Sequence, residues 1–430
     1  MPCFFLLYIS RRKRVRFLCF FLGCLLVYKT TIRLFTFSKM KVFLIMLSVF
    51  IACSANASSL FAGKQFGSRS AVLVTDSQGK DIFSWNPNTL LIPASTIKIA
   101  TGITAIEKFG LDYHFKTDFF FTEDTLWVKG YGDPFLTSEE LDIVAKNLIH
   151  QLNIQFLRIK MIKVDGTHFP LLKVPGRFAS SQPYDAPLAA VSANFNTINI
   201  RKKGNSITSA EPQTPITPLA KQLSEKLSNG VHRINLIKTD NSEQYFAELL
   251  AEKLKEHGLN QTLIPTTGFT PVDAQLIYQH VNSKKLSDAV YAMLFFSNNF
   301  IANQLFLQMR PSNEAISFAA SAAYMKSELR TQLGNDQKTE IVEGSGLSRS
   351  NKLSARQLVA LLKRFQPHKK LMKSYLGGKV FAKSGTLNGV QNLAGYISKN
   401  GKEYFFAFLF NESVPWRYRN TLLKELYATL

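Results

Sequence analysis

Past residue 57 the 430-residue sequence has no cysteine: Cys3, Cys19, Cys24 and Cys53 all come earlier. A chain trimmed there has no disulfide framework, thiol nucleophile or cysteine-ligated metal. The seven histidines show neither HxH nor HExxH spacing, so no zinc signature is present. Acid is scarce too, with 30 Asp and Glu against 52 Lys and Arg, a formal charge of +22. Nine of the basic residues and no acid lie in 1–57, which leaves +13 on the remainder. That charge is scattered apart from the short runs "RKK" (201–203) and "HKK" (368–370). Such a surface suits an acidic polymer or peripheral association with a membrane surface. Interleaved basic and aromatic motifs are missing, so no nucleic-acid partner is expected. Repeats and low-complexity segments are missing as well. The 46% hydrophobic and 12% aromatic content excludes disorder for the bulk of the chain.

The first 57 residues have a different character. "MKVFLIMLSVFIACSANAS" (40–58) carries a basic start at Lys41, an apolar run of eleven residues (42–52) and a small-residue site "ANA" (55–57). These are the parts of a signal peptide, and eleven residues are too few to span a bilayer. Export to the periplasm is therefore expected, with cleavage after Ala57. "FIAC", ending at Cys53, leaves a lipoprotein alternative. Residues 1–39, basic with a second apolar run at 17–28, read as an upstream extension with Met40 as the true start. A membrane anchor is the alternative reading.

After the leader, "AVLVTDSQGKDIFSW" (71–85) predicts two strands around a glycine turn. A helix follows Pro93 and ends at Gly110. "FKTDFFF", "TLWVKG" and "RIKMIKVDG" read as strands, and "TSEEL" (137–141) as a capping box opening a helix. Residues 182–218 are rich in Pro and Ser. An amphipathic helix covers 242–258, and the pattern turns helical from 284. "NLAGYISKNGKEYFFAFLFN" (392–411) predicts a hairpin around Asn400-Gly401, and a helix closes the chain. Strands at both ends of a helical middle imply one α/β (α+β) domain, built from 58–112 and 269–430. Residues 113–268 then form a smaller inserted α/β domain.

Three polar clusters interrupt the apolar pattern. In "IPASTIKIAT" (92–101), Ser95 and Lys98 share a helix face, where a neutral amine can take a hydroxyl proton. An ordinary helix also carries S-x-x-K by chance. In "FFSNNFIANQLF" (295–306), Ser297, Asn298 and Asn299 fit either a helix junction capped by Ser297 or Asn298, or a proton relay with a carbonyl-binding amide. In "VFAKSGTLNGV" (380–390), Lys383, Ser384, Gly385 and Thr386 fit a strand end, or an edge that pairs with an extended peptide beside a fixed charge.

Taken together and in order, S-x-x-K, S-x-N and K-[ST]-G resemble the signature of penicillin-binding proteins and serine β-lactamases. "KGYGDPFLTSEEL", "DAPLAAVSANFNTINI", "VEGSGLSRSNKLSARQLVALL" and "AKSGTLNGVQNLAGYISKNGKEYFFAFLFN" extend the match. They resemble the D-alanyl-D-alanine carboxypeptidase/endopeptidase family, the class C penicillin-binding proteins, over nearly all of the chain after residue 58. The resemblance implies a β-lactamase/DD-transpeptidase-like domain, an antiparallel sheet flanked by helices and split by an insertion. Ser95 and Ser297 are 202 positions apart, and the insertion is short for the family.

The resemblance also implies roles. Ser95 is the nucleophile and Lys98 its base. Ser297 passes the proton to the leaving amine, and Asn299 orients the acyl amide. Lys383, Ser384, Gly385 and Thr386 bind substrate, the backbone N–H groups of Ser95 and Thr386 form the oxyanion hole, and no metal or organic cofactor is needed. Substrates are peptidoglycan stem peptides, with β-lactams as covalent inhibitors. A serine β-lactamase or a non-catalytic peptidoglycan-binding protein on the same fold are the alternatives. Serine replaces the usual threonine at Ser384, which keeps the hydroxyl. "EGSGLSRSNKLSA" (343–355) reads as a Gly-rich loop feeding a capped helix, and Asp133 and Asp185 as turn or capping residues. No carboxylate stands out as a deacylation base. The balance of carboxypeptidase and endopeptidase, the role of the insertion and the oligomeric state stay open.

Overall fold

In the computed structural model, which describes residues 60–61, 63–334 and 338–430, the chain from Gly63 to Leu430 forms one unit. The leader read over 1–57 lies outside the described residues. The first hairpin is β1 (Ser70–Asp76) and β2 (Asp81–Trp85). A 3-10 turn, Ala94–Ile97, feeds helix α1 (Lys98–Phe109), which stops at Gly110 with φ 83°. Every residue of α1 from Lys98 to Ile106 is buried, so α1 is a central helix and not a surface one.

The insertion then begins. It contains β3 (His114–Thr122), β4 (Thr125–Gly130), α2 (Ser138–Ile154), β5 (Met161–Asp165), β6 (Thr197–Lys203) and β7 (Ser206–Ser209). It continues with α3 (Pro218–Ser224), β8 (Gly230–Asn235), α4 (Thr239–Glu256), β9 (Ile264–Thr267) and β10 (Gln275–Lys285). One sheet has the order β10-β3-β4-β5-β9, antiparallel up to β4 and parallel beyond it. Leu141, Val144 and Leu148 of α2 and Phe246 and Leu250 of α4 pack in one core with Phe119, Val128, Ile162 and Val164 of this sheet. A small sheet, β7-β6-β8, completes the insertion.

Two expectations are corrected here. The insertion does not close at residue 268. Strand β10 pairs with β3, from Gln275 opposite Phe121 to Lys285 opposite His114, so the inserted sheet runs on to Lys285. Only three of the eleven β10 residues are buried, so its hydrophobic alternation is weak. Nor does "TSEEL" form a capping box. Thr137 makes no side-chain cap, and the Glu140 carboxylate accepts instead from Ser283 N (2.7 Å) and Ser283 Oγ (2.6 Å), tying α2 to the end of β10.

The chain returns through helices α5 (Leu286–Phe295), α6 (Asn299–Gln308), α7 (Phe318–Glu328), α8 (Arg330–Leu333) and α9 (Ala355–Phe365). Strands β11 (Lys373–Tyr375), β12 (Val380–Leu387), β13 (Val390–Lys399) and β14 (Lys402–Phe410) and helix α10 (Tyr418–Thr429) end it. The main sheet is antiparallel throughout, in the order β11-β12-β13-β14-β1-β2, so both chain ends meet in it as expected. Asn400 and Gly401 turn the β13–β14 hairpin, both at positive φ (53° and 72°), as a two-residue turn of this kind requires. Phe405 to Phe410 are all buried because the sheet is covered on both faces. Phe405, Ala407 and Leu409 join the core that includes α1, α5, α6 and α9, while Phe410 stacks edge-on against Tyr418 of α10 at 5.1 Å.

One side chain ties this sheet to the turn before α1. Asn392 on β13 is fully buried, and its Nδ2 donates to Ile92 O and Pro93 O, both at 2.9 Å. Its Oδ1 accepts from Phe410 N at 3.0 Å. Replacing it with alanine removes this acceptor from Phe410 N and one donor each from Ile92 O and Pro93 O, which keep Asn411 Nδ2 and Thr96 Oγ1. Asn392→Ala is expected to lower stability by about 1–3 kcal/mol, read from the urea midpoint at an unchanged slope.

Candidate active site

Ser95 lies in the 3-10 turn and Lys98 begins α1, so the i, i+3 relation predicted for them holds with an irregular first turn. Ala94, just before the serine, is fully buried at φ 46°, a conformation that L residues rarely adopt. The turn is held from two sides by glycines. A Cβ on Gly346 would lie 2.0 Å from Ala94 O, and one on Gly385 would lie 3.1 Å from Ser95 N. Both backbones therefore approach the serine more closely than any side chain allows.

The Lys98 amine is fully buried. It donates to Asn299 Oδ1 at 2.7 Å and Ser345 O at 2.5 Å and lies 3.1 Å from Ser95 Oγ, so in its neutral form the remaining lone pair faces the serine hydroxyl. Burial pulls its pKa from the ordinary 10.5 to about 7, against a weaker opposing pull from the Glu343 carboxylate. The Lys383 amine, also buried, donates to Ser297 Oγ and to Ser384 O, each at 2.8 Å. Its pKa falls well below the usual value, through burial first, then the positive charge of Lys98, then Arg419 and Lys373.

The second cluster forms the helix junction that one of its two readings expected. Asn298 caps α6 by accepting from Ile301 N at 3.0 Å, while Ser297, at φ 58°, turns its hydroxyl to Lys383. Asn299 spends its carbonyl on Lys98 and one amide hydrogen on Tyr184 O at 3.0 Å. Ser95, Ser297, Asn299 and Thr386 all line one cleft of about 930 Å³, together with Gly346, Leu347 and Arg349. This volume is in the range of small-molecule sites.

Ser384 does not join them. It is not among the residues lining the cleft, and its side chain bonds to Tyr375.

Two contributors were not read from sequence. Arg419 on α10 donates through Nη1 to Thr386 Oγ1 (2.7 Å), Gly385 O (2.9 Å) and Asn392 O (3.2 Å). Thr386 Oγ1 accepts here, which leaves its own hydrogen to donate into the cleft. No motif marks an arginine 33 positions beyond Thr386. The second is Glu343, fully buried, whose carboxylate accepts from Ser345 N, Ser345 Oγ, Gly346 N, Ser348 N and Asn351 Nδ2. These bonds shape the loop that offers Ser345 O to Lys98. The capped helix read after this loop is present, with Ser354 and Gln357 forming a capping box. Five donors fill the Glu343 oxygens, so it has no free lone pair with which to activate a water. Asp133 and Asp185 are structural: Asp133 accepts from Phe135 N and Asn282 Nδ2, and Asp185 from Phe178 N and Ser180 N.

A serine beside a buried amine of lowered pKa, with a second buried amine holding a second hydroxyl, is the equipment of a serine acyl-transfer hydrolase on the penicillin-binding fold. The model of the D-Ala-D-Ala carboxypeptidase 3 (S13) family matches residues 54–237, 227–376 and 366–424, and the chain belongs to that family. It is a serine-type D-Ala-D-Ala peptidase acting on peptidoglycan. Penicillin-sensitive carboxypeptidase A of Dictyostelium discoideum is 25% identical over 84% of this chain and 86% of its own length. A D-alanyl-D-alanine carboxypeptidase of Actinomadura sp. is 23% identical over 80% of this chain and 78% of its own. The crystal structure of penicillin binding protein 4 from Haemophilus influenzae shares the fold. Its TM-score is 0.67 at 21% identity, covering 86% of this chain and 99% of that one.

An amine with the lowered pKa of Lys98 can take a serine proton only when neutral, so a reaction that uses it as base follows its deprotonation. The rate at which benzylpenicillin acylates the enzyme is expected to rise about tenfold per pH unit below pH 7 and to level off above it, as stopped-flow fluorescence measures. A flat profile between pH 5 and 9 would exclude the amine as the base.

Proposed function

We propose that Ser95 Oγ attacks the carbonyl between the last two D-alanines of a stem peptide while Lys98 Nζ takes its proton. The observation that carries this is the 3.1 Å contact between Ser95 Oγ and a fully buried amine whose pKa lies near 7. The tetrahedral oxyanion forms between the backbone N–H groups of Ser95 and Thr386. The C–N bond then breaks as Ser297, whose hydroxyl the Lys383 amine holds, gives its proton to the leaving amine and regains the one that Lys98 took from Ser95, which returns Lys98 to its neutral form. Thr386, oriented by Arg419, receives the terminal carboxylate. Water cleaves the Ser95 ester, and Lys98 is available again to accept its proton. The products are the shortened peptide and free D-alanine.

The same steps on a β-lactam open its ring and acylate Ser95. The cleaved amine stays tethered, however, so it remains beside Ser297 and shields the ester from water. The saturated Glu343 carboxylate supports slow release as well, which favours inhibition over β-lactamase turnover. The signal-peptide pattern at 40–57 supports action in the periplasm, and the basic balance of the remainder supports peripheral contact with an anionic polymer or membrane surface.

Incubating the protein with pentapeptide muropeptides and following D-alanine by mass spectrometry tests this reading. Wild type should convert pentapeptide to tetrapeptide, and Ser95→Ala should lose on the order of 10⁴-fold or more of kcat. Equal rates for the two proteins would refute it.

A further inference from the structure

The amine side of the scissile bond faces Ser297, and a second groove begins there. It holds about 280 Å³ and shares Tyr184, Ser297 and Asn299 with the catalytic cleft. The insertion contributes Thr197 of β6 and Arg233 of β8 to its lining. Arg233 donates through Nε and Nη2 to Thr197 Oγ1, at 3.3 and 3.2 Å, which fixes the plane of the guanidinium. Among the described residues no ion pair engages Arg233, and Nη1 makes no hydrogen bond to protein. The opposite side carries Phe296, which is 71% exposed. Phe296 packs edge-on against Phe295 at 4.9 Å, and Phe295 stacks on Tyr291 at 5.3 Å, so this aromatic face is supported from below and open above. An exposed aromatic beside a fixed, unpaired cation, next to a catalytic hydroxyl, has no part in the core packing.

We propose that this groove is a subsite for the amine-side peptide of a crosslinked pair of stem peptides, with a carboxylate of that peptide on Arg233 and its apolar atoms on Phe296. The assignment rests on Ser297 handing the proton to the leaving amine, because that fixes where the departing strand lies. A free D-alanine is too short to use the groove: its one carboxylate is already received at Thr386. A crosslinked partner continues past the amine and carries further carboxylates. The groove is small for a sugar strand but adequate for a short peptide segment, and the free Nη1 of the guanidinium can donate to a carboxylate. The insertion thereby acquires a role, since the endopeptidase reaction draws on Arg233 and the carboxypeptidase reaction does not.

Wild type, Arg233→Ala, Arg233→Lys and Phe296→Ala would be assayed on a purified crosslinked muropeptide dimer, on a pentapeptide monomer, and for benzylpenicillin acylation. Arg233→Ala should lower kcat/KM on the dimer about 10- to 100-fold, mostly through KM, as expected for one lost charge-assisted hydrogen bond. Arg233→Lys should recover part of this, and Phe296→Ala should also weaken the dimer reaction. Pentapeptide cleavage and acylation should stay within about twofold of wild type, which also reports intact folding. An unchanged dimer rate in Arg233→Ala, or equal losses on dimer and monomer, would overturn the assignment. If wild type were inactive and not acylated, the catalytic reading of Ser95 would fail by itself. Calorimetric binding of the dimer to Ser95→Ala, compared with Ser95→Ala/Arg233→Ala, then still decides the groove: weaker binding in the double variant supports it, and equal binding refutes it.

Discussion

The site is organised around two lysine amines buried within one polar pocket and facing no carboxylate directly. An ammonium taken from water without a counter-ion is costly, and the cheaper course is to give up the proton. The positive charge of Lys98 also makes a second one harder to hold on Lys383. A carboxylate placed against Lys98 would undo this by stabilising the ammonium. The nearest acid, Glu343, is instead turned into its own loop, where five donors occupy it. Its field still favours the charged amine, but more weakly than burial disfavours it.

The fold makes that burial possible. Helix α1 is enclosed by other helices and by the main sheet, so Lys98 has solvent on no side. The sheet supplies Lys383 on β12 and, through Asn392 on β13, the anchor for the turn that carries Ser95. Helix α6 starts at the SxN cluster, and α10 brings Arg419 across the sheet edge to Thr386. Parts far apart in sequence therefore converge on one cleft. The insertion touches it through Tyr184, whose carbonyl holds Asn299, and continues the surface outward toward Arg233.

Much of this was legible in the sequence because spacing constrains it. The three-position spacing from Ser95 to Lys98 sets a helical face, and Asn400-Gly401 dictates a hairpin. The ordered triplets then assign the chemistry. What escaped has a physical reason in each case. Arg419 acts through a contact across the sheet edge that no local pattern records. Ser384 carries the motif's hydroxyl but meets Tyr375 instead of lining the cleft, a tertiary contact that the motif does not record. The loop at 343–355 was read as a helix lead-in, which it is, yet its Ser345 carbonyl also holds Lys98, and a backbone acceptor has no residue-type signature. Strand β10 joins the insertion through pairing with β3, and its half-exposed face weakens the alternation that marks a strand.

The most direct test of a serine activated by a neutral lysine is the intact mass of the protein before and after benzylpenicillin, with the modified peptide sequenced. A gain of one intact penicillin on the peptide bearing Ser95, absent in Ser95→Ala and in Lys98→Met, is the predicted result. An adduct elsewhere, or one that persists in either variant, would contradict it.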